Sequence, residues 1–340
     1  MTRKRNIVSI GIVAVILFII SVIPLPYYVS RPGITLELGD VIEVEGSQEG
    51  EGEFMLTTIR MGKANLFTYL MTKINLYYLL EPIEQVRPYN ETDEEYTVRQ
   101  LYMMETSQEN ALQVAFTKTG NDYEVEYRGI YVLTVLEDGP AEGILRPGDR
   151  ITTIDGNRFT SMEQFTRYVQ SKEEGDRIEI TLIREEKELK ETITLEIIEE
   201  IGAPGIGITL VEDKEVRTNP KVEIDTEQIG GPSAGLMFTL EIYNQLVEED
   251  ITKGYRIAGT GTISPDGKVG PIGGIGQKIV AADKAGADIF FAPNENGKPD
   301  SDYELAVKTA RDINSDMIIV PVDTFDDALE FLESVKEKEG

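Results

Sequence analysis

An uncharged, strongly apolar stretch near the start of the chain constrains how the remainder can fold. Residues 7–23 contain no charged side chain, and the uncharged run continues to residue 29. At 1.5 Å per residue, these positions would cover about 35 Å, enough to cross a hydrocarbon core of about 30 Å. Basic residues precede the stretch at Arg3, Lys4 and Arg5. Because positive charge favours the cytoplasmic side, we predict a basic cytoplasmic tip and a transmembrane anchor within residues 1–30.

A cleaved secretion signal is the alternative interpretation of this stretch. It requires a shorter apolar region and small residues around a cleavage site. No such site occurs in the sequence Ile-Pro-Leu-Pro-Tyr-Tyr at residues 23–28. Tyr27 and Tyr28 instead stand where an aromatic belt would meet the membrane surface. We therefore expect an uncleaved, single-pass anchor in the cell membrane, with the rest of the chain extracytoplasmic.

Charge and two missing residue types exclude several classes of function. The net charge of −28 disfavours nucleic acid and anionic lipid as partners, because both repel an acidic surface. The chain contains no histidine and no cysteine. A Ser-His-Asp triad, a cysteine nucleophile, a zinc site built from these ligands and a disulfide are therefore excluded. We expect no cofactor and no metal.

Residues 31–122 have the pattern of a membrane-proximal region of strands and helices. Residues 34–60 alternate as strands do, and helical stretches are predicted over residues 64–80 and 92–118. We expect the first helix to be buried, since its polar face lacks the basic residues typical of interfacial helices. A role at the membrane surface is the alternative.

Residues 123–199 change to short strands, tight turns and one short helix over residues 161–171. This order resembles a PDZ domain of the bacterial protease type. The resemblance implies that a loop lined by Gly129, Ile130 and Tyr131 binds peptide ends, with the peptide added as an extra strand. The alternative is a small β domain that only spaces the anchor from the rest.

Residues 200–340 alternate strands and helices, as in an α/β domain. Ser233 lies in the sequence Gly-Gly-Pro-Ser-Ala-Gly at residues 230–235, directly before a predicted helix. Free backbone N–H groups and the positive end of the helix dipole at such a position stabilise an oxyanion. Ser233 is thus a candidate nucleophile. The alternative is that its hydroxyl only caps the helix.

Lys278 is the candidate general base. On a helix predicted over residues 275–285 it stands in the middle of a face of apolar and small side chains, whereas Asp283 and Lys284 point the other way. Burial disfavours the charged amine and lowers its pKa, which makes a neutral amine available as a base. The alternative is a lysine that extends out of a loosely packed helix.

These two segments resemble the Lon-type protease family. Its nucleophile motif Gly-Pro-Ser-Ala-Gly matches residues 231–235, and its lysine motif Pro-Ile-Gly-Gly-x-x-x-Lys matches residues 271–278. The resemblance implies a Ser233–Lys278 dyad supported by Thr260, Gly231, Pro232 and Ala234. Together with the anchor and the PDZ pattern, it extends to the membrane-anchored PDZ-Lon proteases of Gram-positive bacteria. Lon-type domains commonly form rings, so the resemblance is compatible with a homo-oligomer.

The predicted protein is multidomain α+β, with a transmembrane helix, a PDZ β-domain and a Lon-type α/β domain. The Gly-Lys pairs that begin at residues 62, 267 and 297 all lack the following Ser or Thr of an ATP-binding P-loop. We therefore expect an ATP-independent serine endopeptidase whose substrates are proteins or peptides near the outer membrane surface. A catalytically inactive, membrane-tethered peptide-binding scaffold is the alternative.

Overall fold

The computed structural model describes residues 23–47, 50–87, 91–199, 201–226 and 229–338. Its strands are β1 (Pro24–Glu37), β2 (Ile42–Val44), β3 (Glu53–Asn65), β4 (Leu79–Pro82), β5 (Asp122–Val135), β6 (Arg150–Ile154), β7 (Asn157–Arg158), β8 (Arg177–Arg184), β9 (Lys187–Thr194), β10 (Glu196–Ile198), β11 (Ala203–Gly205), β12 (Ile208–Asn219), β13 (Val222–Ile224), β14 (Arg256–Gly259), β15 (Thr262–Ile263), β16 (Val269–Gly270), β17 (Ile289–Pro293) and β18 (Ile318–Val322). Its α-helices are α1 (Leu66–Met71), α2 (Ile83–Val86), α3 (Asp93–Thr119), α4 (Met162–Gln170), α5 (Gly235–Leu246), α6 (Ile275–Lys284), α7 (Asp302–Asp312) and α8 (Phe325–Ser334).

The described residues divide into two compact units. The first contains the described parts of residues 1–42, 48–90 and 233–340, and the second those of residues 43–47 and 91–232. Each unit therefore combines segments that are distant in sequence. We call them the proteolytic unit and the PDZ unit, after the patterns predicted for the two parts of the chain. The described residues of 200–232 were expected in the Lon-type domain but fall within the PDZ unit.

The proteolytic unit is built on a six-stranded sheet in the order β18-β17-β14-β3-β1-β4. Strands β18, β17, β14 and β3 run parallel, whereas β1 pairs antiparallel with β3 and β4. Helices α6 and α7 bury small and branched side chains against this sheet, among them Ile279, Ala282 and Ala306. Strand β3 thus joins β14 directly. Residues 31–122 therefore do not form a region of their own. Strands β1, β3 and β4 complete the sheet of the proteolytic unit, whereas the described residues of 43–47 and 91–122 belong to the PDZ unit.

The predicted anchor falls almost entirely outside the described residues. Strand β1 begins at Pro24, so the uncharged residues 24–29 form sheet and do not extend an anchor to residue 30 as predicted. Pro24 and Pro26 explain this boundary, because proline lacks the N–H that continues a helix. Among the helices of the described ranges, none is long and apolar enough to cross a membrane.

The helix expected over residues 64–80 is much shorter, and the expectation that it is buried is wrong. Strand β3 extends through Asn65, whose side chain caps α1 by accepting a hydrogen bond from the Thr68 N–H at 2.8 Å. Helix α1 ends at Met71, and none of its residues is buried. The chain then turns and enters β4 at Leu79. Apolar side chains in this stretch therefore face outward.

The PDZ unit contains a second sheet in the order β12-β5-β6-β8-β9, with β7 paired to β6. The apolar residues of β5, β6 and β8 alternate toward a core that Phe165 and Val169 of α4 close. The helix predicted over residues 92–118 is confirmed as α3. Its start carries a reciprocal cap between Thr92 and Glu95, and it ends at Gly120, whose φ of +72° favours glycine.

Candidate active site

Ser233 lies two residues before α5, and it is half-buried. The residue at the N-cap of α5 is Ala234, and the helix has no side-chain cap. The Ser233 hydroxyl is therefore not used to cap the helix. No acceptor among the described residues takes the backbone N–H groups of Ser233 and Ala234, so both are available to an oxyanion.

Glycines flank the nucleophile for reasons of close packing and backbone angle. A Cβ on Gly235 would lie 2.6 Å from Ile263 Cγ2 and 2.8 Å from the Ile263 backbone nitrogen. Gly231 has a φ of +94°, which side-chain-bearing residues rarely adopt. Pro232 follows it, and Ala234 is fully buried. The motif thus shapes the turn that presents Ser233.

Lys278 is the fourth residue of α6 and is only 2% exposed. Its neighbours on the buried face are Ile275, Ile279 and Ala282, whereas Lys284 on the same helix is exposed. Lys278 therefore does not extend to solvent. Burial of the amine lowers the pKa of Lys278 to about 7, which the Asp302 carboxylate partly opposes.

The structure brings Lys278, Ser233 and Thr260 together. Lys278 Nζ lies 2.7 Å from Ser233 Oγ and 2.8 Å from Thr260 Oγ1. Thr260 directly follows β14 and donates its hydroxyl proton to the Ser233 carbonyl oxygen at 2.9 Å. The Gly261 N–H donates to the same carbonyl at 2.9 Å. The backbone of the nucleophile is therefore held by the segment that also contacts the base.

Asp302, at the start of α7, is a residue that the sequence analysis missed. Its carboxylate is buried and accepts a hydrogen bond from the Ile272 N–H at 2.8 Å. Burial raises the pKa of Asp302, and the nearby Lys278 amine opposes that rise. A carboxylate in a helix's first turn is common, so only the tertiary structure reveals this one near the base.

This arrangement suits nucleophilic acyl transfer. An amine with a pKa of about 7 is about half neutral at neutral pH and largely neutral above it. In the neutral form its lone pair can accept a proton from the hydroxyl 2.7 Å away. Free N–H groups at the start of a helix suit the negative oxygen of a tetrahedral intermediate. Nucleophile, base and oxyanion donors therefore all come from the proteolytic unit.

The predicted peptide-binding residues Gly129, Ile130 and Tyr131 lie inside β5 and not in a loop before it. Ile130 and Tyr131 pair with β6 on one edge, and all three pair with β12 on the other. A bulge near these residues bends β5 and lets β12 continue alongside it to Asp122. The expectation of a binding loop at these residues is therefore wrong, because β12 of the same chain covers this edge of β5.

Strand β12 also contacts helix α4. Glu212 pairs with Ile130 and accepts a hydrogen bond from the Met162 N–H of α4 at 2.8 Å. Leu210 pairs with Val132, and its side chain packs against the core of the PDZ unit. Residues 208–213 therefore lie as a strand between β5 and the start of α4.

Comparison with known proteins agrees with this architecture. Residues 111–195 match the PDZ domain, and residues 222–333 match the Lon protease (S16) C-terminal proteolytic domain. The chain therefore carries a PDZ domain and a Lon-type serine protease domain.

Two curated relatives are Lon proteases. The chain is 33% identical over 111 residues to that of Metamycoplasma arthritidis, covering 33% of this chain and 12% of the relative. It is 38% identical over 99 residues to that of Campylobacter concisus, covering 29% of this chain and 11% of the relative. The matched region is thus about a tenth of each relative's length.

The chain is also similar to a solved structure. The crystal structure of the PDZ domain of an SdrC-like protein from Listeria monocytogenes is 45% identical. The aligned region covers 26% of the present chain and 93% of the Listeria chain, with a TM-score of 0.25.

Proposed function

We propose that this protein is an ATP-independent, membrane-anchored serine endopeptidase that cleaves extracytoplasmic proteins or peptides. The observation that carries the proposal is the 2.7 Å separation between the buried Lys278 amine and the half-buried Ser233 hydroxyl. Burial removes the lysine from solvent, while the serine stays accessible to a substrate. A lysine of ordinary surface pKa would be protonated and could not accept the serine proton.

Catalysis proceeds in two steps, acylation of Ser233 and hydrolysis of the acyl-enzyme. The neutral Lys278 amine accepts the Ser233 proton as Oγ attacks the scissile carbonyl, and the N–H groups of Ser233 and Ala234 bind the oxyanion. The ammonium returns that proton to the leaving amine, and an acyl-serine ester forms. The amine then takes a proton from water, the resulting hydroxide attacks the ester, and the proton returns to Ser233 Oγ.

The membrane location is supported by sequence. Residues 7–23 supply an apolar segment of about 25 Å as a helix, near the lower limit for crossing a bilayer. Arg3, Lys4 and Arg5 favour a cytoplasmic N-terminus, which leaves both units outside the cell membrane. ATP independence is supported by the lack of a P-loop motif in the sequence.

The PDZ domain is proposed to select substrates, with β12 as the strand that a substrate must displace. Suitable substrates are unstructured tails or small proteins near the outer membrane surface, since such segments can add as strands.

Cleavage of an unfolded protein such as casein tests the proposal. The full chain, reconstituted in vesicles, should cleave it without ATP, whereas Ser233→Ala and Lys278→Ala should not. Lys284→Ala is the matched control, because this exposed lysine lies on the same helix. If the wild-type chain cleaves nothing that Ser233→Ala spares, the inactive peptide-binding scaffold is the correct interpretation. Resistance of the chain to alkaline extraction from the vesicles tests the anchor separately.

A further inference from the structure

Exposed apolar side chains are concentrated in one segment of the proteolytic unit. Ile74 and Leu76 are 79% and 84% exposed, the highest values among the large exposed hydrophobic residues of the described ranges. Six of the fifteen such residues fall between residues 66 and 79. They are Leu66, Phe67, Leu70, Ile74, Leu76 and Leu79, which together define the 66–79 surface. Single exposed apolar residues are normal, whereas six of them within one short segment indicate an interaction site.

The segment that contains this surface carries charge opposite to that of the chain as a whole. Residues 54–80 contain no aspartate or glutamate, although the chain has 61 acidic residues. The same segment has three basic residues, Arg60, Lys63 and Lys73, and all three are exposed. Residues 54–80 are therefore apolar and basic within a strongly acidic protein. That combination fits an anionic lipid surface and does not fit another acidic protein.

The position of this surface identifies its partner. Pro24, the first residue of β1, pairs with Asn65, the residue that caps α1. Paired strand residues have Cα atoms about 5 Å apart. The apolar residues 7–23 therefore lead into the sheet directly beside the start of α1. If residues 7–23 cross the bilayer, the 66–79 surface begins where the chain leaves the membrane.

We propose that the 66–79 surface inserts into the outer leaflet of the membrane and forms a second contact beside the anchor. This inference rests on the proposed membrane location. Leu70, Ile74 and Leu76 enter the boundary between headgroups and acyl chains, while Arg60, Lys63 and Lys73 contact lipid phosphates. A single helix leaves the attached unit free to rotate, whereas two contacts determine which of its faces meets the lipid.

The cysteine-free chain allows a direct test with single reporter groups. Full-length Ile74→Cys and Leu76→Cys variants are labelled with an environment-sensitive fluorophore and reconstituted in vesicles that contain phosphatidylglycerol. Ile318→Cys is the matched control, because Ile318 is 52% exposed on β18, at the opposite edge of the sheet from β4. Labels at 74 and 76 should emit at shorter wavelength and be quenched by bromine-bearing lipids about twofold or more above the control.

Three results would overturn the proposal. The labels at 74 and 76 are quenched by aqueous iodide as strongly as the label at 318, or bromolipid quenches all three equally. In the third result, bromolipid does not quench the labels at 74 and 76, and their protection from iodide changes with the protein-to-lipid ratio. That result would mean that a second copy of the protein covers the surface. Alkaline extraction and casein cleavage of the same vesicles report on the anchor and the protease. Failure of either is thereby distinguished from failure of the 66–79 contact.

Discussion

The Thr260 hydroxyl accepts a hydrogen bond from the Lys278 amine at 2.8 Å. Thr260 donates its only hydroxyl proton to the Ser233 carbonyl, so toward the lysine it can act only as an acceptor. One N–H of the neutral amine must therefore point to Thr260. That orientation leaves the lone pair of Nζ free to face Ser233 Oγ, so Thr260 positions the base.

Thr260→Val should lower kcat about 10- to 100-fold, because the amine loses the acceptor that orients it while the side-chain shape is kept. Thr260→Ser retains the hydroxyl and should recover most of the activity. Steady-state kinetics with a fluorogenic peptide measure both variants. Equal rates for Thr260→Val and the wild type would refute the positioning role.

Activity should depend on the protonation of Lys278. Because the pKa of its amine is about 7, kcat/KM should rise about tenfold per pH unit below that value and level off above it. Asp302→Asn removes a negative charge that raises the pKa of Lys278, so its profile should shift to lower pH. A pH–rate profile for each protein gives the result. A profile that falls between pH 6 and pH 8 would contradict a lysine base.

The buried lysine should also make stability depend on pH. The pKa of Lys278 falls from 10.5 to about 7 on folding, so between these values the unfolded chain binds more protons. The free energy of unfolding should therefore rise with pH across this window, by at most about 1.4 kcal/mol per pH unit. Lys278→Met should be more stable than the wild type near pH 7, and the difference should shrink toward pH 10. Denaturant titrations at several pH values measure it, and a constant difference would contradict the burial cost.

Peptide binding to the PDZ unit should be limited by β12. Leu210→Glu places a charge against the core of the PDZ unit and should release β12. If the substitution lowers the free energy needed to detach β12 by about 1.4 kcal/mol, the apparent Kd for the peptide should decrease about tenfold. Asn219→Glu, at the exposed end of the strand, is the control. Fluorescence anisotropy with labelled peptides measures binding, and equal affinity in all three proteins would show that β12 does not compete.

Gly235→Ala should destabilise the proteolytic unit by about 1–3 kcal/mol, because the new methyl group would overlap Ile263. Gly273→Ala is the matched control, since a Cβ there meets nothing within 4 Å. Thermal unfolding compares the two variants. Similar melting temperatures would mean that the helix start yields without cost.

Local patterns in the sequence predicted the elements that carry the site. The apolar face of the helix around Lys278 indicated burial, because helical periodicity records which side chains face inward. Glycine spacing likewise indicated a tight turn at Ser233. At residues 64–80 the lack of basic residues on the polar face predicted burial, and this prediction is wrong because none of the residues of α1 is buried. Apolar composition favours removal of side chains from water, but it does not specify whether protein or lipid covers them.

The sequence alone determined the chemistry that is available to this protein. Without histidine or cysteine, an activated serine needs a different base, and Lys278 stands on a face that excludes water. Only the tertiary structure decided which distant residues meet. It placed Asp302 near the base, β12 along β5 and Asn65 beside Pro24. Such contacts depend on strand order and register, which arise from packing between distant segments, whereas a residue's own neighbours in sequence encode only local structure.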